Sequence, residues 1–236
     1  MNESILFLTF TAASIGFIHT LLGPDHYLPF IAMAKARSWN LPKTLWITFL
    51  CGIGHIGSSI IIGLVGVALG LGITGVTDFE SVRGEIAAWG LIVFGLLYAL
   101  WGLKSAIKNK PHTHHHTHHD GTTHEHTHTH HEEHLHPHEA SKKEITTWAL
   151  FVIFFLGPCE PLIPLLIYPA AQETVYGVFL VIAVFSVATL VAMMGMVFLS
   201  LRSISFINIK PVERFSHVIA GCVIVTSGLM IQFAGL

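Results

Sequence analysis

Charge is scarce in this 236-residue chain: Asp, Glu, Lys and Arg together make up 11% of it, against 52% hydrophobic residues. That balance excludes an ordinary soluble domain, and the mean hydropathy of +0.65 agrees. Cysteine is scarcer still. Cys51, Cys159 and Cys222 include no CxxC pair, and all three fall in apolar stretches, which excludes a disulfide framework. No positive residues precede the first apolar run, which opens Met1-Asn2-Glu3, so it is expected to be retained rather than cleaved as a signal peptide. No enzymatic activity, resident cofactor or nucleic-acid partner is expected, and the oligomeric state is open.

What the chain has in quantity is long apolar runs. A helix needs roughly 20 such residues to cross a bilayer. Six runs qualify, at about 4–23, 45–72, 86–106, 146–170, 174–201 and 213–236. The expected fold is an all-α polytopic membrane protein of six transmembrane helices, with the lipid bilayer as its surroundings. With the N-terminus outside, eleven of the twelve Lys and Arg residues fall on the inner side, and only Arg83 falls outside. The positive-inside rule then places both termini outside, the 107–144 loop in the cytoplasm, and the protein in the cell (inner) membrane.

That loop carries "PHTHHHTHHDGTTHEHTHTHHEEHLHPH" over residues 111–138. Fourteen of the eighteen histidines lie here: His112, His114, His115, His116, His118, His119, His124, His126, His128, His130, His131, His134, His136 and His138. With almost no apolar residue the tract cannot bury a core, so disorder is expected in the absence of a ligand. An engineered tag is the bland alternative, but the tract is internal, irregular and interleaved with Thr and Glu. Neutral imidazole suits nickel, zinc and copper, so the tract is expected to capture transition-metal ions.

The first apolar run ends in "HTLLGPDHYLP", and the fourth contains "LGPCEPLIP". Both pass through Leu-Gly-Pro to two side chains able to ligate a metal: Asp25-His26 in one, Cys159-Glu160 in the other. Proline removes a backbone donor and breaks the helix. Irregular backbone at membrane depth is tolerated only where it is packed in protein or lines a cavity. Two Gly-Pro breaks at matching places in the two halves predict an inverted 3+3 repeat with helices 1 and 4 broken, and a shared site near the midplane. The halves are 1–106 and 145–236, with 107–144 between them. His19, seven residues before His26, and His55, mid-run in "GHIGSS", join the candidate ligands. The set is therefore His19, Asp25, His26, His55, Cys159 and Glu160. Ionisable groups at that depth are costly, and usually mark a site. His217, at the start of the last run, is expected to be interfacial.

In these residues the chain resembles the nickel/cobalt transporter families. "HTLLGPDH", "GHIGSS", the histidine-rich loop and "GPCEP" follow the order of the resistance exporters' motifs, and the His, spacer, Asp-His pattern is similar to that of the uptake permeases. It differs in a five-residue spacer where the permeases have four, and in Glu160 where a neutral residue follows the cysteine. The resemblance implies transport of Ni²⁺ or Co²⁺, with Zn²⁺ as a further candidate, and export by alternating access. The same superfamily holds thiol–disulfide carriers of the cytochrome-assembly type, so an electron carrier is the main alternative. A membrane-anchored metal sensor or chaperone is another, though it leaves the intramembrane groups unexplained.

Overall fold

A computed structural model describes residues 3–70, 72–108, 112–117, 123–128, 139–157, 159, 161–171, 175–204 and 214–234. Eight helices are found among them: α1 (Glu3–Leu22), α2 (Leu28–Ala36), α3 (Leu41–Ala68), α4 (Ile73–Lys108), α5 (Glu139–Leu156), α6 (Leu162–Ala171), α7 (Val175–Ile204) and α8 (Ser216–Ala234). Five of them (α1, α3, α4, α7 and α8) are long and apolar enough to cross a membrane. In the fourth apolar run, α5 (apolar over Thr147–Leu156) and the ten-residue α6 follow one another, neither of them among the five. Helix makes up the described membrane part apart from the two breaks, as expected where hydrocarbon offers backbone groups no partner. Large apolar side chains cover the outside: Phe7, Phe10 and Phe233 are each more than 70% exposed.

Both expected breaks are present. Gly23 donates to His19 O at 2.8 Å and closes the last turn of α1, but Pro24 has no N–H with which to continue it. A 3-10 turn, Pro24–His26, follows, and α2 then resumes. The Tyr27 hydroxyl donates to Leu21 O, at 3.3 Å, meeting one of the carbonyls the break releases. At the second break Gly157 closes α5 onto Ile153 O, and α6 starts only at Leu162.

Two boundaries differ from the sequence reading. The third span begins at Ile73 rather than near 86, so Arg83 is not a loop residue but lies within α4. The two short connections on that side, 69–72 and 172–174, then carry no Lys or Arg at all. The fourth run's first helix begins at Glu139 rather than near 146, and its division into α5 and α6 is the expected break.

α4 and α8 form the tightest pair. A methyl group added to Gly221 would sit 2.5 Å from Ala99 N, and one added to Gly95 would sit 2.7 Å from Val225 N. Gly102 and Gly228 make similar approaches one heptad further along each helix, so the two backbones touch along a stripe of small residues. Elsewhere α1 packs on α7, α5 on α3, α2 on α8, and α6 on both α7 and α3.

Within the loop, His112–Thr117 and Thr123–His128 pair as two antiparallel strands. This corrects the expectation of a tract without secondary structure. Threonine suits extended backbone, and the register sets Thr113 opposite Thr127, Thr117 opposite Thr123, His112 opposite His128, His114 opposite His126, and His116 opposite His124. His118, His119, His130, His131, His134, His136 and His138 lie outside the described residues.

Candidate metal site between the broken helices

Three of the six proposed ligands come together. His19 on the last turn of α1, His26 on the 3-10 turn and His55 halfway along α3 form a chain of rings. The His19 and His26 centroids are 4.9 Å apart, and those of His26 and His55 are 5.2 Å apart, each pair nearly perpendicular. His26 and His55 are buried, at 2% and 4% exposure.

The ring nitrogens divide into two kinds. His26 Nδ1 lies 3.1 Å from Gly23 O and 3.3 Å from Asp25 Oδ1, while His55 Nδ1 lies 3.3 Å from Phe154 O. A carbonyl can only accept, so where these bonds form Nδ1 is the donor, and in the neutral ring the lone pair is on Nε2. The Nε2 atoms of His19, His26 and His55 are all buried, and none has a hydrogen-bond partner among the described residues. Metal-binding histidines carry this signature, one ring nitrogen anchored to a carbonyl or carboxylate and the other left to ligate. Among the described residues no group of three His, Cys, Asp or Glu side chains already stands arranged to hold an ion. Binding would therefore require the mutually perpendicular rings to turn.

Asp25 Oδ1 lies 3.3 Å from His26 Nδ1, so the carboxylate can orient that ring. Gly23 makes room for both: a Cβ there would fall 2.7 Å from His26 Nδ1 and 3.0 Å from Asp25 Oδ1. Gly23→Ala is accordingly expected to lower metal affinity about 10–100-fold, the usual cost of disturbing an outer-shell partner, while thermal stability changes little. Titration of metal into the purified variant checks this.

The second break reaches the same stretch of α3. Phe154 O orients His55, and a Cβ on Gly157 would come within 3.2 Å of His55 Nδ1. Cys159 is fully buried among Ala12, Ile56, Leu162, Val181 and Phe185, and its backbone N–H donates to Ser59 Oγ at 3.0 Å. Glu160 lies outside the described residues. Two buried hydroxyls, Ser186 Oγ and Thr189 Oγ1, have no partner among the described residues, and Thr189 Oγ1 abuts Gly16, one turn before His19.

Sequence reasoning missed two clusters. Glu80 and Arg83 form a buried ion pair of 2.7 Å. The signal was a Glu-x-x-Arg step on one helical face, hidden because the segment reads as a loop. His217 is not merely interfacial: its Nδ1 lies 2.8 Å from the Tyr98 hydroxyl, its ring sits 4.9 Å from Trp101, and Arg37 at the end of α2 donates to the same Tyr98 oxygen at 3.1 Å. α2, α4 and α8 are tied together there.

Residues 28–232 match the family described as cytochrome C biogenesis protein transmembrane region. The chain belongs to this family. The match takes in α2 through most of α8 and fits a multi-pass membrane protein. No curated protein and no solved structure matches the chain. Family membership supports the thiol–disulfide superfamily named in the sequence reading; a nickel or cobalt transporter is not what the family description names.

Proposed function

We propose that this chain is a transporter of divalent transition-metal ions built on the cytochrome c biogenesis transmembrane scaffold. The observation that carries the reading is the set of three imidazoles at the junction of two broken helices, each with a buried Nε2 that nothing in the described protein satisfies. Leaving such groups unpartnered in a membrane interior is costly unless an ion or water meets them. Imidazole with a nearby carboxylate suits Ni²⁺ and Co²⁺, and Zn²⁺ equally by ligand type. Cys159 and Glu160, from the second half, are proposed to approach the ion at another stage of the cycle. The two halves act as an inverted repeat, rocking about the cluster so that it faces each side in turn. The bias of Lys and Arg toward one side supports a cytoplasmic histidine loop, which would collect ions for export.

The family description speaks more directly for a second reading, an electron carrier between thiols. That chemistry needs two cysteines able to meet. Cys159 stands at the second break, but the corresponding place in the first break is Asp25. Cys51 is the other buried thiol, and it packs with Phe30, Phe154 and Met193. Eight residues of α3, about 12 Å of rise, separate it from Ser59, which holds the Cys159 backbone. A disulfide requires Cα atoms within about 7 Å. Cys222 is on α8 and exposed. The double substitution Cys51→Ala with Cys222→Ala should therefore leave metal flux into reconstituted vesicles unchanged. Loss of flux together with loss of transmembrane thiol reduction would favour the carrier.

The loop is expected to raise capture rather than to carry the essential step. Deleting residues 111–138 should raise the metal concentration for half-maximal flux and leave maximal flux largely intact. Protons compete with metal for imidazole below about pH 6.5. The gap between full-length and deleted protein should therefore close as pH falls through that value. Flux against metal concentration at two pH values measures both effects.

A further inference from the structure

The backbone of the second break loses helical partners at Gly157 O and Cys159 N, and one buried network takes up both. Arg83 Nη2 shares its two protons among Gly157 O at 3.1 Å, Glu80 Oε2 at 2.7 Å and Ser59 Oγ at 2.6 Å. Ser59 Oγ also accepts from Cys159 N–H at 3.0 Å and donates to Glu80 Oε2 at 3.3 Å. One hydroxyl thus uses both lone pairs and its proton. Glu80, Ser59 and Arg83 are 0%, 1% and 7% exposed.

An ion pair buried in a membrane is an expensive way to cap two backbone groups, and a well-packed apolar contact is often at least as stable. Position supplies a reason for it. Ser59 lies one turn beyond His55 on the same face of α3, and the helix that Arg83 holds, α5, supplies the Phe154 carbonyl that orients His55. Any swing of the break must break the Arg83 bond and release His55 together. Room for a swing exists: a groove of about 360 Å³ beside the pair is lined by Ser58, Ile61, Phe79, Val82, Arg83 and Phe155.

We propose that Arg83, charge-balanced by Glu80, is a positioning residue that latches the second broken helix closed on the side of the membrane where α4 begins, and that its release opens the histidine cluster to that side. This rests on the transport reading only for its purpose; the latch itself is measured without metal.

Cys159 reports on it. In a Cys51→Ala, Cys222→Ala background it is the single thiol, and an impermeant maleimide can be applied to either face of sealed vesicles of known orientation. With Arg83 present, labelling should be slow from both faces. Arg83→Gln should speed labelling about tenfold or more, as expected when a minor open state becomes appreciably populated, and only from the face where α4 begins. Arg83→Lys should restore protection in large part. If Arg83→Gln does not fold, Glu80→Gln, which removes only the balancing charge, should shift labelling in the same direction. An unchanged rate in a folded variant, or an equal rise from both faces, would overturn the latch. Absence of metal flux in the unsubstituted protein would instead overturn the transport reading and leave the latch untouched.

Discussion

Replacing His26 with alanine is expected to abolish metal flux, and His55→Ala is expected to do the same. Each removes an anchored imidazole whose Nε2 is buried beside two others. Loss of an outer-shell partner alone costs about 10–100-fold in affinity, so loss of a ligand should exceed about a hundredfold. His26 is the middle ring, within about 5 Å of both neighbours, and its removal should be the most severe. Asp25→Asn keeps the size but weakens the hold on His26 Nδ1, and should fall between the alanine variants and the unsubstituted protein. Flux in vesicles, with folding checked by thermal melting in detergent, gives the ranking. Near-normal flux in His26→Ala would remove the cluster from the mechanism.

The largest effect on stability is expected at the α4–α8 seam. Gly221→Leu would drive a side chain into the Ala99 backbone, whose N and Cα lie 2.5 and 2.7 Å from the first added carbon. Overpacking against side chains typically costs about 1–3 kcal/mol, and here the obstacle is main chain, so the loss should reach or pass the upper end. The variant should fail to accumulate in the membrane or melt well below the unsubstituted protein. Gly57→Ala is the matched control: nothing lies within 4 Å of its added carbon, and alanine favours helix over glycine by about 1 kcal/mol. Melting temperatures of the two variants, side by side, separate backbone contact from a general intolerance of larger residues.

Much of this architecture is legible in the residues. Apolar runs give the spans, and "LGPDH" and "LGPCE" give the breaks, because proline's missing donor acts locally wherever the chain goes. The histidine cluster is legible for the same reason: ionisable groups in a run that must enter hydrocarbon have few options. The rest depends on partners distant in sequence. Glu80 and Arg83 read as loop residues because each charge alone is unfavourable in a span; only their mutual neutralisation, and Ser59 from another helix, allow α4 to start at Ile73. Asp25 has the chemistry of a ligand, and only the 3-10 turn shows that one of its oxygens lies beside His26 Nδ1. His217 looks interfacial until α4 brings Tyr98 and Trp101 against it.

Metal content of the purified protein lacking residues 111–138, with X-ray absorption of the bound ion, tests the transport site most directly. About one nickel, cobalt or zinc ion per chain is expected, with imidazole nitrogens among its nearest neighbours, and with the ion lost in His26→Ala. A folded, loop-deleted protein that binds none of these ions, while its thiols exchange electrons across the membrane, would contradict the metal reading.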